Sequence, residues 1–165
     1  MHAFVKKLEK KMSTALLFGL LSSIRGEPKM FWDRVSGVYD LFGKVYNGKV
    51  NREMCRIVAK EVGTDDRVLE CACGTGLITA AVAGKGSKLV ATDYSEGMLK
   101  QTRKKCGSYP NVEIRTADIL KLPFPDGSFD AVIAANVIHL LNDPYKALSE
   151  LHPVEFTKKA MEFLQ

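Results

Sequence analysis

The sequence predicts an α/β protein with a Rossmann-like, doubly wound and mostly parallel sheet. Apolar strands alternate with helices from residue 67 onward, a glycine-rich turn follows the first of these strands, and an acid closes the second. Alternation of this kind places strands parallel to one another through right-handed crossovers. Ligands of such sheets bind at the carboxyl ends of the strands, so the turns that follow each strand are the expected site.

Composition supports one globular domain. The chain has 165 residues, of which 46% are hydrophobic and 26% charged, and 24 Lys+Arg against 19 Asp+Glu give a net charge of +5. These values exclude a disordered chain, a collagen-like chain and a polytopic membrane protein. The basic residues are scattered apart from two short clusters that fit solvated helix faces, so no nucleic-acid partner is expected.

The four cysteines, Cys55, Cys71, Cys73 and Cys106, lie in apolar or motif contexts without the spacing of a disulfide scaffold. Cys71-Ala72-Cys73 has no second ligand pair, so no metal site is expected. Reduced thiols indicate a cytoplasmic protein.

The amino end, residues 1–28, is predicted to form an amphipathic helix. Apolar residues recur every four positions and lysines fill the other face. Its apolar run, 15–21, is too short to cross a bilayer, which needs about 20 residues. The helix would lie on the domain, on a partner or on a membrane surface, and a secretory signal is the competing interpretation.

Residues 29–151 form the predicted core. One or two short helices are expected over 31–46 and another over 50–62, closed by Gly63. Strands are expected at 67–71, 88–92, 112–116 and 129–135, and helices at 77–83, 95–106 and 143–151. Ser95 and Asp143 are the predicted N-caps of the last two helices.

The tail, residues 152–165, is predicted to be helical because Phe156, Ala160, Phe163 and Leu164 have helical spacing. Only four strands are then counted, and the edge of the fourth is left bare. Three outcomes stay open: a shortened form that does no chemistry, completion by a second copy at that edge, or cover by the terminal helices. We expect the terminal helices to cover the exposed edge of the fourth strand, and we also expect some formation of homo-oligomers.

Residues 70–76, Glu-Cys-Ala-Cys-Gly-Thr-Gly, follow the first strand and open the next helix. Glycines there let the backbone approach a ligand closely, and the helix N-terminus offers free N–H groups. A dinucleotide fold would show the same Gly-x-Gly. Two residues argue against that fold: Thr79 replaces its third glycine, and Glu70 would repel a pyrophosphate but attract an ammonium group.

Two further acids follow the next strands. Asp93 closes the second strand, where a carboxylate can accept both hydroxyls of a ribose. Asp118 follows the third strand and can accept from the amino group of an adenine. The alternatives are a surface acid at Asp93 and a turn acid at Asp118.

Together these motifs resemble the class I S-adenosylmethionine-dependent methyltransferases (methyltransferase type 11), most closely the branch of the ubiquinone/menaquinone C-methyltransferases. The resemblance covers about residues 31–151. Its most specific part is Pro123-Phe124-Pro125-Asp126-Gly127-Ser128-Phe129-Asp130. It also includes Val68 to Gly76, Asp93 with Ser95, Gly97 and Met98, and Asn136-Val137-Ile138-His139-Leu140-Leu141. Trp32-Asp33 with Tyr39-Asp40 resembles the lid segment of the family, whereas the family's last three strands have no counterpart.

The resemblance implies S-adenosyl-L-methionine as cofactor and a small-molecule or lipid-like methyl acceptor. It implies that Glu70 meets the methionyl amino group, that Asp93 holds the ribose, and that Tyr39 covers the sulfonium with its aromatic face. The other implied cofactor contacts are Ala72, Cys73, Gly74, Gly76, Tyr94, Met98, Asp118, Ile119 and Asn136. No catalytic residue is assigned, and His139 is the one candidate base. The alternative function is a non-catalytic cofactor-binding or partner-binding form of the same fold.

Overall fold

The structure, a computed structural model, describes residues 28–154 and 160–163. The predicted amphipathic helix of residues 1–28 therefore falls, apart from Pro28, outside the described residues. The helices are α1 (Pro28–Glu61), α2 (Leu77–Val82), α3 (Glu96–Cys106) and α4 (Pro144–Val154). The strands are β1 (Arg67–Glu70), β2 (Lys88–Asp93), β3 (Val112–Thr116), β4 (Ala131–Ala135) and β5 (Ala160–Phe163), and one 3-10 turn spans Ile138–Leu140.

The sheet has the order β3-β2-β1-β4-β5, and each neighbouring pair is parallel. The predicted Rossmann-like parallel sheet is confirmed. Chain order reverses at β1: strands β2 and β3 lie on one side of it and β4 on the other. A reversal of this kind opens a crevice at the carboxyl ends of β1 and its neighbours.

Both faces of the central strands are buried. In β1, Val68 belongs to an apolar cluster beneath α1 and α2, whereas Leu69 belongs to a cluster that includes Leu151 and Val154 of α4. Ile133 of β4 belongs to the same cluster as Val68. Side chains of successive strand residues point to opposite faces, so a strand covered by helices on both sides must be apolar throughout. This explains the continuous apolar runs of β1 and β4.

The prediction of separate helices before Gly63 is wrong. One continuous helix, α1, runs from Pro28 to Glu61 through Gly37, Gly43 and Gly48. Each glycine costs a helix about 1 kcal/mol relative to alanine, so local propensity favours a break in this segment. Packing outweighs that cost, because α1 lies against both α2 and α3 and buries Met54, Val58 and, just beyond its end, Val62.

The helical prediction for the tail is also wrong where the structure describes it. Residues 160–163 form β5 and pair with β4, with Val132 opposite Ala160 and Ala135 opposite Phe163. Helical spacing in a short apolar segment does not distinguish a helix from a strand, and the unpaired N–H and C=O groups of β4 offer a partner. The edge of β4 that we expected to be bare is therefore occupied.

The helix before that tail is longer than predicted. Helix α4 ends at Val154, so the predicted boundary between residues 151 and 152 falls inside it. The backbone N–H of Phe129 donates to the Val154 carbonyl over 3.1 Å, and that of Gly127 to the Pro153 carbonyl over 2.8 Å. The two predicted caps are confirmed: the Ser95 side chain accepts from Met98 N, and Asp143 accepts from Lys146 N. Among the described helices, none combines the length and the apolar character needed to cross a membrane.

Candidate functional site

A cavity of about 300 Å³ lies at the carboxyl end of the sheet. Eight of the sequence-predicted residues line it: Ala72, Gly74, Asp93, Tyr94, Met98, Asp118, Ile119 and Asn136. They come from the ends of β1, β2 and β4, from the start of α3 and from the loop after β3. The remaining lining residues are Trp32, Ala117, Leu120, Val137, Leu140, Leu141 and Asn142. The structure thus brings together residues that are spread over more than a hundred positions of the sequence.

The glycine-rich loop between β1 and α2 forms the floor of the cavity. The backbone N–H of Cys71 donates to the Ile133 carbonyl (2.8 Å) and that of Cys73 to the Thr92 carbonyl (2.9 Å). From α3, Thr102 Oγ1 donates to the Gly74 carbonyl (2.8 Å). Because strands on both sides and one helix hold it, the loop presents a fixed backbone surface to the cavity.

The two glycines of this loop have different roles. Gly76 has φ +79°, and a Cβ there would lie 2.9 Å from Thr102 Cγ2, so this glycine permits close packing of the loop on α3. Gly74 has φ +56°, lines the cavity, and a Cβ there would meet no protein atom within 4 Å. The space above Gly74 is therefore available to a ligand, which can reach the backbone there.

Two residues without the freedom of glycine also have positive φ at the cavity. Ala72 follows β1 with φ 53°, and Asn136 follows β4 with φ 56°. Both line the cavity. Asparagine tolerates this region, but alanine pays about 1–2 kcal/mol for it. Backbone strain concentrated at one site is typical of functional sites.

Replacement of Ala72 by glycine should relieve that strain. We expect Ala72→Gly to raise the free energy of unfolding by about 0.5–1 kcal/mol, because relief of positive φ outweighs the added freedom of the unfolded chain. Urea denaturation measures the change. The matched control is Ala80→Gly, an exposed position inside α2, where the same substitution should cost about 1 kcal/mol. Equal losses in both variants would contradict the strain at Ala72.

Asp93 joins the loop to the start of α3. One carboxylate oxygen, Oδ2, accepts from Gly74 N over 2.8 Å, and the other, Oδ1, accepts from Ser95 N over 2.8 Å. The side chain is 9% exposed and lines the cavity. Burial raises the pKa of Asp93, whereas the backbone hydrogen bonds from Ser95, Gly74 and Tyr94 oppose that rise. Each oxygen retains a lone pair for a hydroxyl donor in the cavity.

Glu70 lies beneath the loop and outside the cavity lining. It is 3% exposed, and its Oε2 accepts from Thr79 Oγ1 over 2.6 Å. Burial is the main reason that the pKa of Glu70 rises to about 8, and the nearby Asp93 carboxylate adds to the rise. Thr79, the residue in place of a third dinucleotide glycine, is thus the direct partner of this acid.

The raised pKa of Glu70 predicts a pH dependence of stability. A carboxyl whose folded pKa lies above its unfolded value contributes stability that is complete below the unfolded pKa, near 4.5, and is lost as pH rises through the folded pKa of about 8. Glu70→Gln has no proton to lose. Between pH 5 and pH 8 we expect the wild-type chain to lose about 3–4 kcal/mol of unfolding free energy relative to this variant. Urea denaturation at both pH values checks this, and parallel curves would contradict it.

The other predicted site residues lie elsewhere. Cys73 and Gly76 are in the loop but not in the lining, and the Cys73 thiol is buried, which raises its pKa. Tyr39 is part of α1, and its side chain is outside the described set. His139 is exposed in the 3-10 turn and does not line the cavity.

Sequence reasoning gave no separate role to two residues of α1. Trp32 lines the cavity, and Asp33 Oδ1 accepts from Ser95 Oγ over 2.5 Å and from Gly97 N over 2.9 Å. The Trp32-Asp33 pair belongs to the segment that resembles the family's lid. The neighbouring sequence gives no signal for the hydrogen bonds of Asp33 to residues more than 60 positions away.

Comparisons with known proteins agree with this architecture. The model of the methyltransferase domain family matches residues 69–154, slightly more than half of the chain. A demethylmenaquinone methyltransferase of Clavibacter sepedonicus is 38% identical over 135 residues, which are 79% of this chain and 54% of that protein. The ubiquinone/menaquinone biosynthesis C-methyltransferase UbiE of Teredinibacter turnerae is 35% identical over 137 residues, 74% of this chain and 55% of that protein.

A solved methyltransferase structure also resembles this chain. The crystal structure of a SAM dependent methyltransferase from Aquifex aeolicus is 31% identical, with a TM-score of 0.52 over 61% of this chain and 57% of that chain. The chain spans about half the length of the curated relatives it matches. With the parallel sheet, the loop after β1 and the match over residues 69–154, the chain belongs to the methyltransferase domain family.

Proposed function

We propose that this chain binds S-adenosyl-L-methionine in the cavity and transfers its methyl group to a small-molecule or lipid-like acceptor. The observation that carries the proposal is the junction of Gly74 and Asp93. An open glycine backbone and a buried carboxylate, joined by a 2.8 Å hydrogen bond, line one cavity at the ends of adjacent strands. The space above Gly74 and the acceptor pair of Asp93 fit an adenosyl ligand.

The wall formed by the ends of β2 and β3 is the proposed adenosine side. Asp93 would accept from the ribose hydroxyls, while Tyr94 and Met98 would lie beside the adenine. Asp118 and Ile119 would contact the adenine edge. One Asp118 oxygen, Oδ1, already accepts from Leu120 N over 2.8 Å, which fixes the direction of that carboxylate. All five residues line the cavity.

The loop after β1 is the proposed methionyl side. Ala72 and Gly74 would contact the amino-acid part through their backbone, and Asn136, across the cavity at the end of β4, would lie near the amino group and sulfonium. Gly76 and Cys73 would not contact the ligand directly but would maintain the conformation of the loop that does. Glu70, buried under the loop, would attract the methionyl ammonium group. An ammonium group close to Glu70 favours its ionised carboxylate. We therefore propose that ligand binding near pH 7 draws a proton from Glu70.

When bound, the cofactor supplies an electrophilic methyl group whose bond to sulfur breaks, with its electron pair going to sulfur, as the bond to the acceptor forms. The residues of the chain position the reacting groups and exclude water. His139 does not line the cavity, and the lining contains the carboxylates of Asp93 and Asp118. An acceptor that must lose a proton would lose it to solvent or to one of these carboxylates.

The proposed acceptor side is the apolar wall after β4. Val137, Leu140 and Leu141 line the cavity there, and Leu140 is 53% exposed. Tyr145 and Leu148 of α4 are also exposed. An apolar acceptor in the cavity would bury Val137, Leu140 and Leu141. Two of the relatives above are named for demethylmenaquinone and for ubiquinone/menaquinone biosynthesis, which supports an acceptor of apolar character.

The proposal includes a cytoplasmic setting and a peripheral membrane contact through residues 1–28. The four cysteines are free, which supports a reducing compartment. The membrane contact falls on residues outside the described ranges. Strand β5 occupies the edge of β4 on which a homo-oligomer was predicted, so the proposal does not include one.

Titration calorimetry tests the proposed function. S-adenosylmethionine, S-adenosylhomocysteine and NAD are each titrated into the purified chain at pH 7, in two buffers of different ionisation enthalpy. We expect saturable binding of the first two ligands, no binding of NAD and a buffer-dependent heat that reports a released proton. Binding of NAD alone, or of no adenosyl ligand to a folded chain, would contradict the proposal.

A further inference from the structure

We propose that Asp33 is a positioning residue that fastens α1 to the start of α3 and so holds Trp32 in the wall of the cavity. The effect on ligand affinity rests on the proposed function. The effect on Trp32 does not, because it concerns the chain alone.

The first contact is a cap supplied from another helix. Asp33 Oδ1 accepts from the Ser95 hydroxyl at 2.5 Å and from the Gly97 N–H at 2.9 Å. Ser95 is the N-cap of α3, and Gly97 is in its first turn. The first N–H groups of a helix have no partner within the helix and carry its positive end, so a carboxylate is stabilised there. The hydrogen bond from Ser95 is the main reason that the pKa of Asp33 lies below its ordinary value.

The second contact is the close approach of two backbones. A Cβ on Gly97 would lie 2.8 Å from Asp33 Cα and 2.9 Å from the Asp33 carbonyl oxygen. The buried Ser36 hydroxyl would lie at 3.0 Å, and it already donates to the Asp33 carbonyl over 2.9 Å. Residue 97 must therefore remain without a side chain for α1 to lie where it does.

The cavity depends on this attachment. Trp32, the neighbour of Asp33, lines the cavity, whereas the other lining residues belong to the sheet and its following loops or to α3. Lys29 adds a contact one turn earlier, with Nζ 5.4 Å from the centre of the Tyr94 ring, and Tyr94 also lines the cavity. Removal of the Asp33 carboxylate should free this part of α1 from the wall.

Trp32 gives a direct readout because it is the only tryptophan of the chain. Acrylamide quenching of its fluorescence is measured on the ligand-free protein for the wild type, Asp33→Ala, Asp33→Asn and Gly97→Ala. We expect the quenching constant to rise at least twofold in Asp33→Ala and in Gly97→Ala. Asp33→Asn keeps an oxygen that can accept from both donors, so it should stay close to the wild type.

The matched control is Glu53→Ala, an exposed acid on the same helix that pairs with Arg56. Its quenching constant should not change. Far-UV circular dichroism separates loss of the attachment from loss of α1. If Asp33→Ala does not fold, Gly97→Ala carries the test with Asp33 intact. An unchanged quenching constant in folded Asp33→Ala or Gly97→Ala would overturn the proposal, as would a change in Glu53→Ala of the same size.

Affinity for S-adenosylhomocysteine, measured on the same variants, extends the test. We expect the dissociation constant to rise about tenfold in Asp33→Ala and to recover in Asp33→Asn. If the wild type binds no S-adenosylhomocysteine but Asp33→Ala exposes Trp32, the positioning role stands and the proposed function fails. If the wild type binds and Asp33→Ala changes neither affinity nor quenching, the positioning role fails alone.

Discussion

Asp93→Ala should weaken binding of S-adenosylhomocysteine by at least about 100-fold. Each hydrogen bond to a charged group contributes about 1.5–3 kcal/mol, and the proposed ribose contact uses two hydroxyls. The substitution also removes the acceptor of Gly74 N and Ser95 N. We therefore expect a parallel loss of about 2 kcal/mol in unfolding free energy. Calorimetry gives the affinity, and urea denaturation gives the stability.

A second ligand pair separates the ribose contact from general damage to the loop. Methylthioadenosine retains the ribose, whereas adenine lacks it. Asp93→Ala should weaken methylthioadenosine binding and leave adenine binding unchanged. Asp65→Ala, at an exposed acid in the turn before β1, is the control and should bind both ligands as the wild type does. Wild-type affinity for S-adenosylhomocysteine in folded Asp93→Ala would refute the assigned role.

Gly74→Ala is the second substitution for which we expect a large effect. Its Cβ would meet no protein atom, yet Gly74 lines the cavity, so the added methyl group would occupy space that the ligand needs. We expect the affinity for S-adenosylhomocysteine to fall at least tenfold, and the positive φ to cost about 1 kcal/mol of stability.

Gly84→Ala is the matched control for the backbone cost. Gly84 has φ +76°, and a Cβ there would meet Tyr109 at an ordinary 3.8 Å, away from the cavity. Both variants should therefore lose similar stability, but only Gly74→Ala should lose affinity. Equal affinities in the two variants would mean that no ligand approaches the backbone at Gly74.

Much of the fold was predictable because its signals are local. The apolar runs of the four predicted strands, the N-caps at Ser95 and Asp143 and the glycine-rich turn each lie within a few residues of the element that they define. Acids and glycines at strand ends indicated three residues of the cavity lining, Gly74, Asp93 and Asp118, because the topology gathers strand ends at one edge of the sheet. The family resemblance implied the other five predicted residues of the lining.

The failures have one physical cause in common, which is that distant contacts outweighed a local pattern. Helix α1 continues through three glycines because α2 and α3 pack on it. Residues 160–163 pair with β4 although their spacing suits a helix. Asp33, to which the sequence assigned no separate role, accepts hydrogen bonds at the start of a helix more than 60 positions away.

The most direct test of the account is a crystal structure of the chain with S-adenosylhomocysteine. We expect the ligand to occupy the cavity, with both ribose hydroxyls about 2.7–3.0 Å from the Asp93 carboxylate. The amino-acid part should lie over Gly74, and the purine should lie between Met98 and Ile119. A ligand bound elsewhere, or one whose ribose does not contact Asp93, would contradict the account.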